Sequence, residues 1–204
     1  VPQFYHNLIT EESFRFLQTL RRDHTFVLIG GWAVFMYTRS LKSKDIDIVV
    51  EYGELGRLRD HFDVRKNDRL RKYEIKVGTF DVDVYVAHYS DLGVPAEIIR
   101  SSAVARDGFL VPPAVLLLLL KLYAWHTRRG SAKGRKDELD ILSLAFSPEC
   151  DWDRYRELVA AFRFETYHRE FLALLRSTRS VPEFGFNEQA TARLKKRVLQ
   201  RFAR

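Results

Sequence analysis

Two aspartates, Asp45 and Asp47, interrupt an apolar stretch that continues through Ile46, Ile48, Val49 and Val50. Such a run reads as a strand, in which side chains at i and i+2 share one face. The carboxylates therefore lie together while Ile46 and Ile48 turn the other way. Like charges a few ångström apart repel, so the pair costs stability unless a cation sits between them. Magnesium, or manganese in its place, suits the pair: it takes oxygen from one or two carboxylates and fills its shell with water and substrate phosphates. Gly30-Gly31 precede the aspartates by a spacer of thirteen residues. They stand between a short strand, Thr25 to Ile29, and a helix from Trp32 to Tyr37. Glycines at a strand-to-helix junction leave backbone N–H groups open to a nucleoside triphosphate at the helix N-terminus.

A second acidic pair repeats the pattern. Asp81 and Asp83 stand at i and i+2 among Val82, Val84 and Val86. One carboxylate from that strand would complete a two-metal site beside Asp45 and Asp47. Arg39, Lys42 and Lys44 enter the Asp45 strand and are placed to neutralise triphosphate charge.

The rest of the chain supplies a frame for these residues. Thr10 to Leu20 reads as a helix with Thr10 as N-cap. Glu54 to Phe62 is helical, and Lys72–Val77 with Phe80–Val86 form a hairpin turning at Gly78-Thr79. Pro112-Pro113 opens an apolar helix from Ala114 to Thr127. A Gly/Ser/Lys-rich, mobile loop from Arg128 to Lys136 leads to a helix from Asp137 to about Phe146. The remainder is mostly helical, broken near Pro148 and Pro182. The fold class expected is α/β (α+β): a mixed β-sheet palm with flanking helices over residues 1–111, then a helical lobe over 112–204.

Charge divides along the same line. The net +7 belongs entirely to residues 154–204, which carry 12 Lys/Arg against 5 Asp/Glu, while the first 153 residues balance at 22 each. A neutral half joined to a basic tail suggests a surface for a polyanion, nucleic acid first. The longest apolar run, Ala114 to Leu120, is seven residues. A membrane-spanning helix needs about twenty. With no secretory pattern at the start and Cys150 as the one cysteine, the expected setting is cytoplasmic.

Leu28-Ile29-Gly30-Gly31 followed by Asp45-Ile46-Asp47 resembles the nucleotidyltransferase superfamily related to polymerase beta. The resemblance implies magnesium-dependent transfer of a nucleoside monophosphate from a nucleoside triphosphate, ATP among them. It makes Asp45 and Asp47 metal ligands and Asp83 or Asp81 the third carboxylate, with Asp83-Val84-Tyr85-Val86 the better match. Many members have serine after the glycines. Here Trp32 follows them, as in relatives that modify antibiotics, and it joins Gly30 and Gly31 as an expected nucleotide-binding residue.

The second half narrows the likeness. Val111-Pro112-Pro113, Leu117 to Leu122 with Lys121, Ala124, Arg128 and Lys136-Asp137-Glu138-Leu139-Asp140-Ile141 resemble the toxin-type nucleotidyltransferases of abortive-infection and toxin-antitoxin systems. That group implies active-site roles for Lys121 and Asp137. A lysine ending an apolar helical run is placed to reach out of the core towards phosphate oxygens, and Asp137 and Asp140 share a helix face.

Several acceptors stay open. The basic tail fits RNA, a tRNA end in particular, and a protein acceptor or a partner antitoxin are alternatives. Gly-Gly-Trp points to a small antibiotic-like molecule. A non-catalytic module that binds nucleotide or nucleic acid is the reading from a different class. Intact Asp45, Asp47, Asp81 and Asp83 favour the enzyme.

Overall fold

The computed structural model describes residues 3–203, which divide into two compact units, one up to Pro113 and one from Ala114. The first opens with α1 (Gln3–Asp23), β1 (Val27–Ile29), α2 (Gly30–Thr38), β2 (Ile46–Val49) and α3 (Tyr52–His61). There follow β3 (Val64–Asn67), β4 (Lys72–Val77), β5 (Phe80–Tyr85), α4 (Ala96–Ser101), β6 (Val104–Arg106) and β7 (Phe109–Val111). The seven strands form one mixed sheet in the order β3-β4-β5-β2-β1-β7-β6. Strands β2 and β5 run parallel, as do β1 and β7, and the other neighbours are antiparallel. This is the expected α/β palm.

Alternation decides which face is which. Ile46, Ile48, Ile75, Val82 and Val84 are buried on one face of the central strands. Asp47, Glu74, Asp81 and Asp83 alternate with them and lie half-buried on the other. A one-residue slip in any of these strands would bury the carboxylates and expose the aliphatic row, so the register is strongly specified.

The second unit is helical: α5 (Ala114–Arg128), α6 (Ala132–Phe146), α7 (Trp152–Ala161), α8 (Glu165–Ser177) and α9 (Glu188–Leu199), with a short 3-10 turn at Pro182–Phe184. Helix α5 is apolar on all sides from Ala114 to Leu120 and buried throughout that run, as a central helix must be. Each fully buried leucine there, Leu118 and Leu119 among them, contributes about 1.5–3 kcal/mol. Among the described residues no helix is long and apolar enough to cross a membrane.

Two local expectations are corrected. Thr10 does not cap α1, which already runs through it, and its hydroxyl donates back to the Asn7 carbonyl at 2.9 Å. The segment from Arg128 to Lys136 is not one loop. Ser131 caps α6 by accepting the Gly134 N–H at 3.0 Å, so the helix starts at Ala132.

Candidate active site

Strand register brings the central pair together. Asp47 on β2 lies directly opposite Asp83 on the parallel strand β5, and Ile29 on β1 pairs with Asp47 from the other side. The chain leaves Ile29 at Gly30, whose φ of +65° begins α2 in the left-handed region that favours glycine. Proximity enforces the same choice: a Cβ on Gly30 would fall 2.0 Å from Asp47 Oδ2 and 2.6 Å from its Cγ. Helix α2 has no side-chain cap, so its first backbone N–H groups carry the positive end of the helix dipole next to an aspartate.

The carboxylates differ in surroundings. Asp47 Oδ1 accepts from the Tyr85 hydroxyl at 3.4 Å, and Asp45 Oδ1 accepts from the Asp81 backbone N–H at 3.4 Å. Asp83 Oδ2 accepts from Lys72 Nζ at 2.6 Å, while its Oδ1 is buried without a hydrogen-bond partner. Burial, then the Asp47 charge, pushes the Asp83 carboxyl up to about 6, against the opposing pull of Lys72. Asp81 instead pairs with Lys76 at 2.6 Å and is 38% exposed, against 15% for Asp83. Position and burial both set Asp83, not Asp81, beside Asp47.

The site's chemistry suits a magnesium-class ion. Among the described residues no three His, Cys, Asp or Glu side chains converge into a cage. Magnesium seldom uses one, being held by one or two carboxylates together with substrate phosphates. Asp47 and Asp83, with a buried orphan oxygen at Asp83 and a helix N-terminus alongside, provide that kind of half-site.

Two of the residues expected to hold the triphosphate, Trp32 and Arg39, lie otherwise than the sequence suggested. The Trp32 side chain is 1% exposed, and its indole N–H donates to Ser13 Oγ at 3.0 Å. It is a core residue, and only its backbone belongs to the start of α2. Arg39 caps the opposite end of α2, about 13 Å from Gly30 along nine residues of helix, and is paired with Asp107. Lys44 is exposed immediately before Asp45, with Ser43 Oγ donating to the Asp45 carbonyl at 3.0 Å to fix the turn.

In the helical unit, Lys121 and Asp137 do meet. Lys121 Nζ lies 3.2 Å from Asp137 Oδ1 and 2.7 Å from Asp140 Oδ2, and Arg128 reaches Asp137 Oδ2 at 3.0 Å. Lys121, Asp137 and Asp140 are buried, while Arg128 is half-buried at the edge of the cluster. The ammonium is thus committed to two carboxylates rather than extended to the surface. The neighbouring cations are committed as well: Arg129 pairs with Glu170 and stacks over Trp125, and Arg135 bridges Glu138 and Glu183.

Sequence reasoning missed two polar clusters. One is Lys72 with Glu74 and Asp83. Its signal was the two-residue turn at Gly78-Thr79, which fixes the hairpin register and sets Glu74 opposite Asp83. The other is a buried His24–Glu54 pair at 2.7 Å, with His61 3.2 Å from His24, beside a hollow of about 540 Å³ between α1 and α3. None of the expected site residues lines that hollow.

No family model matches the chain, and no curated protein matches it in sequence. Solved structures do match it in fold. JHP933 from Helicobacter pylori superposes with a TM-score of 0.53 at 15% identity, covering 95% of this chain and 90% of that one. A candidate nucleotidyltransferase from H. pylori does so with a TM-score of 0.53 at 16% identity, covering 95% and 93%. The chain shares its fold with these two H. pylori proteins.

Proposed function

We propose that this chain is a nucleotidyltransferase that moves a nucleoside monophosphate from a nucleoside triphosphate to an acceptor hydroxyl. The observation that carries the reading is the Asp47–Asp83 register across β2 and β5, beside Gly30 at the start of α2. The cost of holding two carboxylates there is accounted for by a divalent cation, magnesium or manganese, that would sit between them and the triphosphate.

Asp47 and Asp83 would hold the ion, with Asp45 at the rim of the same face. When bound, the ion neutralises phosphate charge as it builds up in the transition state. The backbone N–H groups at Gly31 and Trp32 receive phosphate oxygens, and Lys44 screens their charge from the loop. The acceptor oxygen forms a bond to the α-phosphorus as the bond from that phosphorus to pyrophosphate breaks. Pyrophosphate leaves with the electron pair. Asp83 helps to activate the acceptor hydroxyl by holding the ion beside it, and the hydroxyl's proton passes to water. For the helical unit, we propose that Lys121 and Asp137 act as the family likeness implies, with the buried cluster setting the position of both.

We further propose RNA as the acceptor. The cations between Arg128 and Arg135 are largely spent on internal pairs, which moves the candidate surface to α9. There Arg193, Lys196 and Arg197 are exposed at i, i+3 and i+4 on one face. The likeness to toxin-type enzymes adds growth arrest on expression and release by an antitoxin. With the Trp32 side chain in the core, a small-molecule acceptor would have no contact from that indole, and the Gly-Gly-Trp likeness remains its support.

The test is incubation with each α-labelled triphosphate, magnesium and either total cellular RNA or total protein. Label in RNA that depends on Asp83 supports the reading. Label in protein moves the acceptor, and label in neither with any triphosphate overturns a macromolecular acceptor.

A further inference from the structure

Three strands contribute to a polar chain that ends on Asp83. Asn67 Nδ2 on β3 donates to Glu74 Oε1 on β4 at 3.0 Å. The same Glu74 oxygen lies 3.0 Å from Lys72 Nζ, which donates to Asp83 Oδ2 on β5 at 2.6 Å. Lys72 is 12% exposed, so this is no solvated surface pair. Register explains how it forms. Glu74 is directly opposite Asp83, and Lys72 is its diagonal neighbour, within reach of a long side chain on the same face.

The two oxygens of Asp83 are thereby made unequal. Oδ2 is taken by Lys72, and Oδ1, buried, has no hydrogen-bond partner. A carboxylate has two oxygens and accepts only, so an orphan oxygen in a half-buried site is the one left to a ligand. Lysine offers three donors, and two are directed here at Asp83 and Glu74. Glu74 in turn is held by Asn67, so the ammonium is anchored from behind rather than free to swing away.

Resting on the nucleotidyl-transfer reading, we propose that Lys72 is a positioning residue: it fixes the Asp83 carboxylate so that Oδ1 alone is presented to the metal ion shared with Asp47. Partners of metal-ligating carboxylates set ligand orientation, and losing one typically weakens metal affinity by about 10–100-fold. The alternative is that Lys72 merely occupies the metal's place in the metal-free protein. The two have opposite signs. A positioning lysine aids metal binding, whereas a competing cation opposes it.

The probe is Mn²⁺ alone, titrated into the full chain and followed by loss of the free-ion electron paramagnetic resonance signal. Lys72→Met, which keeps the side-chain length and removes the donors, should weaken Mn²⁺ binding at least tenfold. Lys72→Arg, which can still donate, should stay within about threefold of wild type. If Lys72→Met does not fold, Lys72→Gln carries the same expectation, being too short to hold both carboxylates. Equal or tighter Mn²⁺ binding by Lys72→Met or Lys72→Gln overturns the positioning role and leaves the site intact. Wild-type protein whose Mn²⁺ response is the same as that of Asp47→Asn overturns the metal site and Lys72's role with it.

Discussion

A methyl group on Gly30 would stand 2.0 Å from Oδ2 of Asp47. No rotation of the glycine relieves this, because the same residue sits at φ +65° to turn β1 into α2. Backbone turn and acid pair are therefore one device: the left-handed residue that starts the helix is also the only one small enough to let its N-terminus approach the carboxylate.

Gly30→Ala should accordingly disturb Asp47 more than it disturbs the fold. The left-handed alanine costs about 1–2 kcal/mol, and displacement of the carboxylate by about 1 Å should cost roughly 10²-fold in activity. Gly53→Ala, in α3 with open space at the added methyl, is the control. It should be neutral or stabilising by about 0.4–1 kcal/mol. Melting curves and transfer rates for both variants check this, and a fully active Gly30→Ala would contradict it.

The two carboxylates of β5 should separate cleanly. Asp83→Asn is expected to abolish transfer, and Asp81→Asn, which breaks only an exposed pair with Lys76, to leave it within a few-fold. Rates for the two single variants decide, and the opposite order would move the third carboxylate to Asp81.

The buried cluster of the helical unit should respond to loss of its cation more than to loss of any one surface pair. Lys121→Met leaves Asp137 and Asp140 in the core without the ammonium that lies between them, with Arg128 reaching only Asp137 at 3.0 Å and from the half-exposed rim. Breaking a buried pair in this way costs about 3–5 kcal/mol. Chemical denaturation of the variant should show that loss with or without nucleotide present. An unchanged midpoint would mean that the cluster contributes no net stability.

Stability should also fall on the acid side through His168. Burial, then Arg176, holds its pKa below the ordinary 6.5, and its Nδ1 lies 3.1 Å from the Tyr155 hydroxyl. The folded state therefore prefers neutral imidazole. That contribution is complete above pH 6.5 and is lost as pH falls through the lower folded value. His168→Gln should flatten the decline in melting temperature below pH 6.5. Parallel pH profiles for variant and wild type would exclude His168 as its source.

If RNA is the acceptor, Arg193 and Lys196 should account for part of the salt dependence of binding. Replacing both with alanine should weaken affinity and reduce the slope of log affinity on log salt by roughly 0.7 per lost contact. Filter binding across a salt series measures it. A slope already flat in wild type would end the RNA proposal.

The aspartate motif and the strands that carry it were legible in the sequence because alternation and a Gly-Thr turn leave little freedom. The polar strand β3, Val-Arg-Lys-Asn, was not, since it has no apolar alternation and is held by pairing with β4. The β6–β7 hairpin carried a readable signal in Asp107-Gly108, both at positive φ, and that dipeptide was passed over. The surroundings of Trp32 and Lys121 were not legible for a shared reason: sequence shows where a side chain starts, but burial and partner decide where it ends. Trp32 found Ser13 in the core, and Lys121 found two aspartates on the next helix.

The central claim is that Asp47 and Asp83 together transfer a nucleoside monophosphate. The most direct measurement is pyrophosphate release in step with incorporation of α-label into the acceptor, with magnesium, for wild type, Asp47→Asn and Asp83→Asn. The account predicts one pyrophosphate per label incorporated in wild type and neither product above background in the two folded variants. Incorporation that persists in either variant, or label transferred without pyrophosphate, would contradict it.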